Sequence, residues 1–335
     1  MFYSNQRKYL SLFIIEKIAT FIKDKILYKR YLNNKIFALK KNIFEYDFLM
    51  SLDPKFYKKY LKIAYKLQSG KRLNLHNPQT YTEKIQWLKL YDNIPIKTTL
   101  TDKLLVRDWI KNEIGEQYLK PLLQVCNSFD EINFDNLPDS FVIKCNHGCK
   151  WQFIIKDKKS YLENKSLFPY TRKIIDRWLS KNYFGVSMFE TQYKNITPKI
   201  LVEKFMEDNS VHNYTFNEIE VLCFNGNPKI IDYHTGIDNP ETSIYDENYN
   251  SIDLKYTDGT KLVETPINNH MKKAVELSKL LSKQFKLVRV DWMIYENNLY
   301  FNEMTFTPRS GFIIWPNGYE YWDKKLGEML NLKGN

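Results

Sequence analysis

The hydrophobic period of this chain changes at Pro138, and that change restricts the fold more than any other feature. From Asp53 to Glu116 apolar residues recur at helical spacing, with turn chemistry at Gly70 and at Asn77-Pro78. Thr80 followed by Glu83 has the pattern of a capping box, opening a helix through Ile85, Trp87, Leu88 and Leu90. Beyond Pro138 the apolar runs become short and strand-like: 141–143, 153–155, 200–202, then 219–224 and 229–233 on either side of Asn225-Gly226, a strong hairpin signal. The spacing predicts one more helix over 269–285, with Met271, Ala274, Val275, Ser278 and Leu281 on one face. A second hairpin is expected from 287–295 and 299–304. Helices and strands mix without regular βαβ alternation, so the expected class is α+β rather than a doubly wound parallel sheet.

Composition bears on partners and location. A length of 335 residues suits about two domains. The net charge of +11 points to an anionic partner: phosphate, uronic acid, membrane surface or nucleic acid. Aromatic residues fall mostly at apolar-periodic positions, where core packing accounts for them, so nucleic acid is not expected. Cys126, Cys145, Cys149 and Cys223 are too few for a disulfide scaffold and form no Cys-x-x-Cys pair, which indicates a reducing, cytoplasmic setting. The apolar run from Tyr9 to Ile15 is interrupted by Glu16 and Lys17, far short of the ~18 residues needed to span a bilayer, and no signal-peptide cleavage site follows it. Between Met1 and Glu45, ten Lys or Arg stand against three Asp or Glu. Leu10, Phe13, Ile14, Ile18, Phe21 and Ile22 lie on one helical face there. The segment reads as a basic amphipathic helix, able either to lie at an anionic membrane or to pack on the protein.

Two places carry candidate chemistry. The loop Lys144–Lys150 opens a strand rather than a helix, so it is neither a Walker loop nor a dinucleotide fingerprint. Such a loop can still offer backbone N–H groups to phosphate, with Lys144 as a point charge. Its Cys145, His147 and Cys149 lack an evident fourth zinc ligand. In the final hairpin, a three-residue loop at Glu296-Asn297-Asn298 would set Asp291 opposite Glu303 and Arg289 opposite Thr305. Opposed carboxylates suit Mg²⁺ held with substrate phosphates; a two-residue loop would instead leave a solvated charged strand pair. No Gly-x-Ser-x-Gly elbow or triad-like histidine arrangement is present.

Several ordered motifs resemble the teichuronopeptide-biosynthesis (TupA-like) ATP-grasp family. They are Asn-Pro-Gln-Thr-Tyr-Thr-Glu-Lys-Ile-Gln-Trp-Leu-Lys-Leu-Tyr-Asp from Asn77 to Asp92, Thr101-Asp102-Lys103, Val106-Arg107, the run from Phe141 to Gly148, Cys223-Phe224-Asn225-Gly226, Arg289-Val290-Asp291 and the run from Phe301 to Phe306. The resemblance spans about Asp53 to Leu330. It implies an ATP-grasp fold in which two α+β subdomains clasp ATP and Mg²⁺, preceded by the basic helical segment. The expected regions are 1–50, a mostly helical 51–135, a small ATP-grasp subdomain 136–206 and a C-terminal subdomain 207–335 with the metal site.

By the same resemblance, Lys103 and Lys144 correspond to nucleotide-phosphate lysines, and Asn146, His147, Gly148 and Lys150 belong to a flexible phosphate loop. Glu203, Lys204, Phe205 and Met206 correspond to the adenine hinge, with Glu207 or Asp208 toward ribose. Asp291 and Glu303 are the implied metal carboxylates. Thr305 stands where many ATP-grasp enzymes have Asn. This chain departs from the family at Gly148-Cys149-Lys150 and at Glu218-Ile219-Glu220, where a phosphate-facing lysine is missing and Arg289 or Lys150 would substitute. Arg309 replaces a common glycine and could bind an acidic substrate. The implied activity is ATP- and Mg²⁺-dependent carboxylate-amine ligation on a uronic acid of a capsular or related surface polysaccharide, with Arg289, Lys144 and Arg309 as catalytic candidates. A glycosyltransferase of the same pathway and a non-enzymatic membrane-associated scaffold are the alternatives.

Overall fold

The computed structural model describes residues 46–206, 217–235 and 241–333. The basic segment 1–45, and Glu207 and Asp208 of the expected ribose contact, lie outside the described residues.

The helical first part forms α1 (Tyr46–Ser51), α2 (Tyr57–Ser69), α3 (Tyr81–Tyr91), α4 (Pro95–Thr101) and α5 (Val106–Glu113). Helix α3 begins with the expected capping box: the Thr80 hydroxyl accepts from Glu83 N, and the Glu83 carboxylate accepts from Thr80 N. The strands follow as β1 (Leu122–Cys126), β2 (Phe141–Cys145), β3 (Gln152–Ile155) and β4 (Ile200–Lys204), with α6 (Lys158–Glu163) and α7 (Leu167–Leu179) between β3 and β4. These four strands make an antiparallel sheet in the order β1-β4-β2-β3. Strand β1 comes from the region expected to be mostly helical, so the sheet crosses the anticipated boundary at 136. Phe141, Ile143, Ile200 and Val202 pack against Ile175 of α7 in its core.

The remaining elements are β5 (Asn217–Phe224), β6 (Asn227–Thr235), β7 (Glu241–Asp246), β8 (Lys261–Leu262), α8 (Asn269–Ser282), β9 (Leu287–Tyr295), β10 (Asn298–Thr305) and α9 (Tyr321–Met329). The sheet order is β10-β9-β5-β6-β7-β8, antiparallel except for the short β7/β8 pair. Asn225 and Gly226, both at positive φ, turn β5 into β6 as the dipeptide requires.

Strand alternation gives this sheet two unlike faces. On one, Val221, Ile231, Val290 and Trp292 meet Met271, Ala274, Leu277 and Leu281 of α8. Trp292 Nε1 donates to Ser278 Oγ at 2.8 Å, which satisfies its one polar atom within that core. The other face is divided. Leu222, Phe224, Ile230 and Leu287 lie under α3 and α9, whereas Glu220, Asp232, Asp291 and Glu303 form a row across four adjacent strands.

The junction of α3 and α9 holds that apolar half in place. Asp323 accepts from both the backbone and the hydroxyl of Thr82 at 2.9 Å, and Lys84 Nζ donates to the carbonyls of Gly327 and Leu330 at 2.7 and 2.6 Å. A Cβ on Gly327 would lie 2.2 Å from the Gln79 carbonyl oxygen, a backbone atom that cannot move alone. Gly327→Ala is therefore expected to cost about 1 to 3 kcal/mol by overpacking. Gly259→Ala, with open space around it, serves as the control. Equal urea midpoints for the two variants would refute the contact.

Candidate active site

Lys103 links the polar half of the six-stranded sheet to the loop that follows β2 in the four-stranded one. Lys103, just after α4, donates from Nζ to the Gly148 carbonyl at 3.0 Å and lies 3.3 Å from Glu303 Oε2. It thus touches the expected phosphate loop and an expected metal carboxylate together. Lys144 on β2 is buried and paired with Glu203 on β4 at 2.6 Å, with Arg107 of α5 at 3.8 Å on the other carboxylate oxygen. Burial opposes charge on Glu203, but Lys144, Lys120 and Arg107 outweigh it and hold its pKa below the ordinary value. Lys204 points to solvent, while Phe205 and Met206 are buried.

Asp291 does face Glu303, and Arg289 faces Thr305. The route to that register differs from the expected one. The turn has two residues, Glu296 and Asn297, both at positive φ. A bulge at Asn302 then supplies the extra residue. The bulge also reverses the alternation of β10: Leu299 and Phe301 before it and Met304 after it all face the α8 core, which leaves Glu303 and Thr305 on the polar face. Asn302 is pinned there by two side chains: it accepts from Lys120 Nζ at 2.6 Å and donates to Glu218 Oε1 at 3.0 Å.

Arg289 organises the centre of the row. Its Nε and Nη2 donate to the two oxygens of Asp291 at 2.7 and 2.5 Å, and Nη1 lies 3.1 Å from Glu220. Burial disfavours the guanidinium charge, yet these carboxylates hold its pKa well above the usual value. Asp291 itself is 1% exposed. Lys103 and Arg289 likewise overcome burial to keep Glu303 below the ordinary carboxylate range. Arg309 is exposed, at positive φ, and stacks over Tyr256 with 5.1 Å from guanidinium to ring centre.

The loop 146–150 is only partly as expected. Asn146 and His147 are fully buried and internally bonded, so their side chains brace the loop instead of lining an opening. Asn146 donates to Asp102 and the Thr197 carbonyl and accepts from Lys199 N. His147 Nε2 lies 3.1 and 3.2 Å from the carbonyls of Trp178 and Lys181. Burial lowers the pKa of this imidazole. Both ring nitrogens being engaged, the arrangement gives no support to a Cys145/His147/Cys149 zinc site, and all four cysteines are free thiols. Gly148 is required by Trp151, whose ring would lie 2.4 Å from an added Cβ. Lys150 is exposed and left-handed.

Lys120, Glu218, Glu220, Asp232 and His234 escaped the sequence reading as site residues. The Asn225-Gly226 turn pairs Phe224 with Asn227 and Cys223 with Pro228, and only a bulge at Lys229 then sets Glu220 against Asp232 and Glu218 against His234, so the hairpin signal alone did not bring these four together. Lys120 had no comparable signal.

The profile of the TupA-like ATP-grasp family matches residues 83–331. This chain belongs to the TupA-like ATP-grasp family. Its α+β architecture of two sheets is the ATP-grasp fold. No curated protein matches the sequence significantly. Similar solved structures include D-alanine–D-alanine ligase from Bacillus anthracis, at 16% identity over 62% of this chain and 57% of that one, with a TM-score of 0.37. Another is D-alanine–D-alanine ligase from Helicobacter pylori, at 16% identity over 75% and 69% of the two chains, with a TM-score of 0.37. L-amino acid ligase from Bacillus licheniformis is similar at 10% identity over 80% and 54%, with a TM-score of 0.39. The TupA-like chain thus spans little more than half the length of the Bacillus ligases. Among its described residues no helix is long and apolar enough to cross a membrane.

Proposed function

We propose that this protein is an ATP- and Mg²⁺-dependent ligase that joins an amine to a sugar carboxylate, a uronic acid of a capsular or related surface polysaccharide, through an acyl phosphate. The observation that carries this reading is the position of Lys103, bonded at once to the loop carbonyl of Gly148 and to Glu303. A phosphate chain lying between loop and hairpin would exchange those contacts for its own oxygens. Lys144 and Lys120 add positive charge beside it, and Glu203 to Met206 form the segment proposed to contact adenine, with Asp208 toward ribose.

The donor set fits a hard cation: two carboxylates, Asp291 and Glu303, face each other on adjacent strands. Glu303 keeps a quarter of its side chain exposed, whereas Asp291 first has to be released by Arg289. Bound Mg²⁺ would neutralise charge on the transferring phosphoryl group. Arg289, once turned from Asp291, sits where it can hold the acyl phosphate. Arg309, exposed and stacked on Tyr256, is the residue proposed to receive the acidic sugar. In this sequence a carboxylate oxygen takes the γ-phosphoryl group of ATP with release of ADP, and the amine nitrogen then displaces phosphate from the acyl carbon.

The test is incubation with ATP, Mg²⁺ and a panel of uronic-acid sugars and amines, with detection of ADP and of the coupled amide. A product formed from a sugar nucleotide without ATP would assign a glycosyltransferase, and no turnover with either would assign a scaffold.

Lys120 supplies a pH test. Burial, with Lys144 adding to it, depresses its pKa to about 8, so its charge is present at pH 7 and lost above. ATP affinity is expected to weaken as pH rises from 7 to 9, and Lys120→Met should flatten that profile. The stability effect has the opposite sign. An unfolded lysine titrates near pH 10.4, so the unfolded chain binds more protons between about pH 8 and 10.4, and this group's contribution to stability rises with pH there. A wild-type affinity that is constant over this range removes Lys120 from the phosphate site.

The basic segment 1–45 is proposed to contact anionic lipid, each Lys or Arg near the surface adding about 1 kcal/mol. The full chain is expected to sediment with anionic vesicles at low salt and to be released in part at high salt, and a chain lacking residues 1–45 should remain in the supernatant. Aggregation of the truncated chain would place the segment in the core instead.

A further inference from the structure

The acidic row does not end at Arg289. Beyond it lie Glu220 on β5 and Asp232 and His234 on β6, and one ligand atom from each falls within 4.8 Å of the other two. No role in nucleotide or Mg²⁺ binding has been given to Asp232 or His234. Asp232 is 5% exposed, and its Oδ1 has no hydrogen-bond partner. A buried carboxylate oxygen without a donor is costly, and such an atom signals a missing ligand.

The histidine is already aimed. His234 Nδ1 lies 3.0 Å from Thr242 Oγ1 on β7, and Nε2 lies 3.8 Å from Glu220 Oε2. With Nδ1 held by Thr242, Nε2 faces Glu220, to which it offers a proton that a metal ion would displace; the hydroxyl is the kind of outer partner that orients a metal-binding imidazole. The positive groups near this end are Arg289, which binds Glu220 directly, and Arg309, which acts on both carboxylates from a distance. Neither bonds Asp232 Oδ1.

We propose that Glu220, Asp232 and His234 hold a divalent transition-metal ion, separate from Mg²⁺ at Asp291 and Glu303. One imidazole nitrogen with two carboxylates favours Mn²⁺, Fe²⁺, Co²⁺ or Zn²⁺, whereas Mg²⁺ prefers an all-oxygen shell. Strand register builds the site: Glu220 pairs with Asp232, and His234 stands two residues along on the same face. The site requires neither nucleotide nor turnover, so its failure is distinguishable from failure of the ligase reading.

The experiment is titration of the chelator-treated full chain with Co²⁺, followed by its visible absorption and by calorimetry. Wild type is expected to take one Co²⁺ with a spectrum containing nitrogen ligation, and the Asp291→Asn/Glu303→Gln double variant should retain it. His234→Gln and Asp232→Asn should each weaken binding by more than about 100-fold, and Thr242→Val by about 10-fold, the effect of losing an orienting partner. Should His234→Gln fail to fold, Thr242→Val decides. Three results would overturn the proposal: no Co²⁺ uptake by wild type, affinity unchanged in Thr242→Val, or binding lost only in the Asp291/Glu303 variant.

Discussion

Glu303→Gln is expected to lower ATP turnover by about 100-fold or more across a magnesium titration, because a neutral amide cannot hold Mg²⁺ against phosphate as a carboxylate does. Its fold should persist: Glu303 is a quarter exposed, and Lys103 keeps its bond to the Gly148 carbonyl. Asp291→Asn should lose activity at least as severely but for two reasons. Besides the metal contact it removes the bidentate partner of Arg289. Breaking one side of a buried pair typically costs about 3 to 5 kcal/mol. Glu220, 3.1 Å from the same guanidinium, softens that loss. Comparing thermal melts with turnover separates the two effects, and Glu303→Gln is the cleaner probe. Full activity in Glu303→Gln at saturating magnesium would make the hairpin a charged strand pair and not a metal site.

The second large effect is expected at Lys144. Lys144→Met leaves Glu203 buried with only Arg107 at 3.8 Å and Lys120 nearby. The stability loss should reach about 3 kcal/mol, the lower end of the range for a broken buried pair. Lys144→Met/Glu203→Gln should regain most of it, since neither charge is then stranded. ATP affinity should stay weaker by about 1 to 3 kcal/mol in both variants, the usual cost of a lost charge-assisted bond.

Urea unfolding and nucleotide titration on the same preparations test this pair of expectations. Wild-type affinity in the double variant would remove both residues from the nucleotide site. Acid adds a check. The Glu203 pKa lies below its unfolded value, so its contribution to stability is complete above about pH 4.3 and is lost as pH falls through the folded value. Lys144→Met should shrink that acid-sensitive part.

Legibility of the chain followed the range of the interactions involved. The capping box at Thr80, the turn at Asn225-Gly226 and the α8 stripe were readable because each depends on neighbours a few residues away, where side-chain period and backbone preference act directly. Family membership was equally readable, since it rests on ordered motifs. Strands β7 and β8 were not read. Strand β1 falls in the region expected to be helical because its partner β4 is distant in sequence, Cys126 pairing with Ile200, 74 residues on.

The final hairpin marks the division most clearly. From the sequence alone, alternation put Arg289 with Asp291 on one face of β9 and Glu303 with Thr305 on one face of β10. Whether those faces coincide was decided by Asn302, whose bulge reverses β10 and whose side chain is held by Lys120 and Glu218 from other parts of the chain. Tertiary packing likewise buried Asn146 and His147 as braces and left Asp232 without a donor at Oδ1. Local period and turn chemistry thus determined which elements form, and which residues share a face of each. Register, bulges and burial depend on partners distant in sequence, so only the assembled sheets decided where the charges meet.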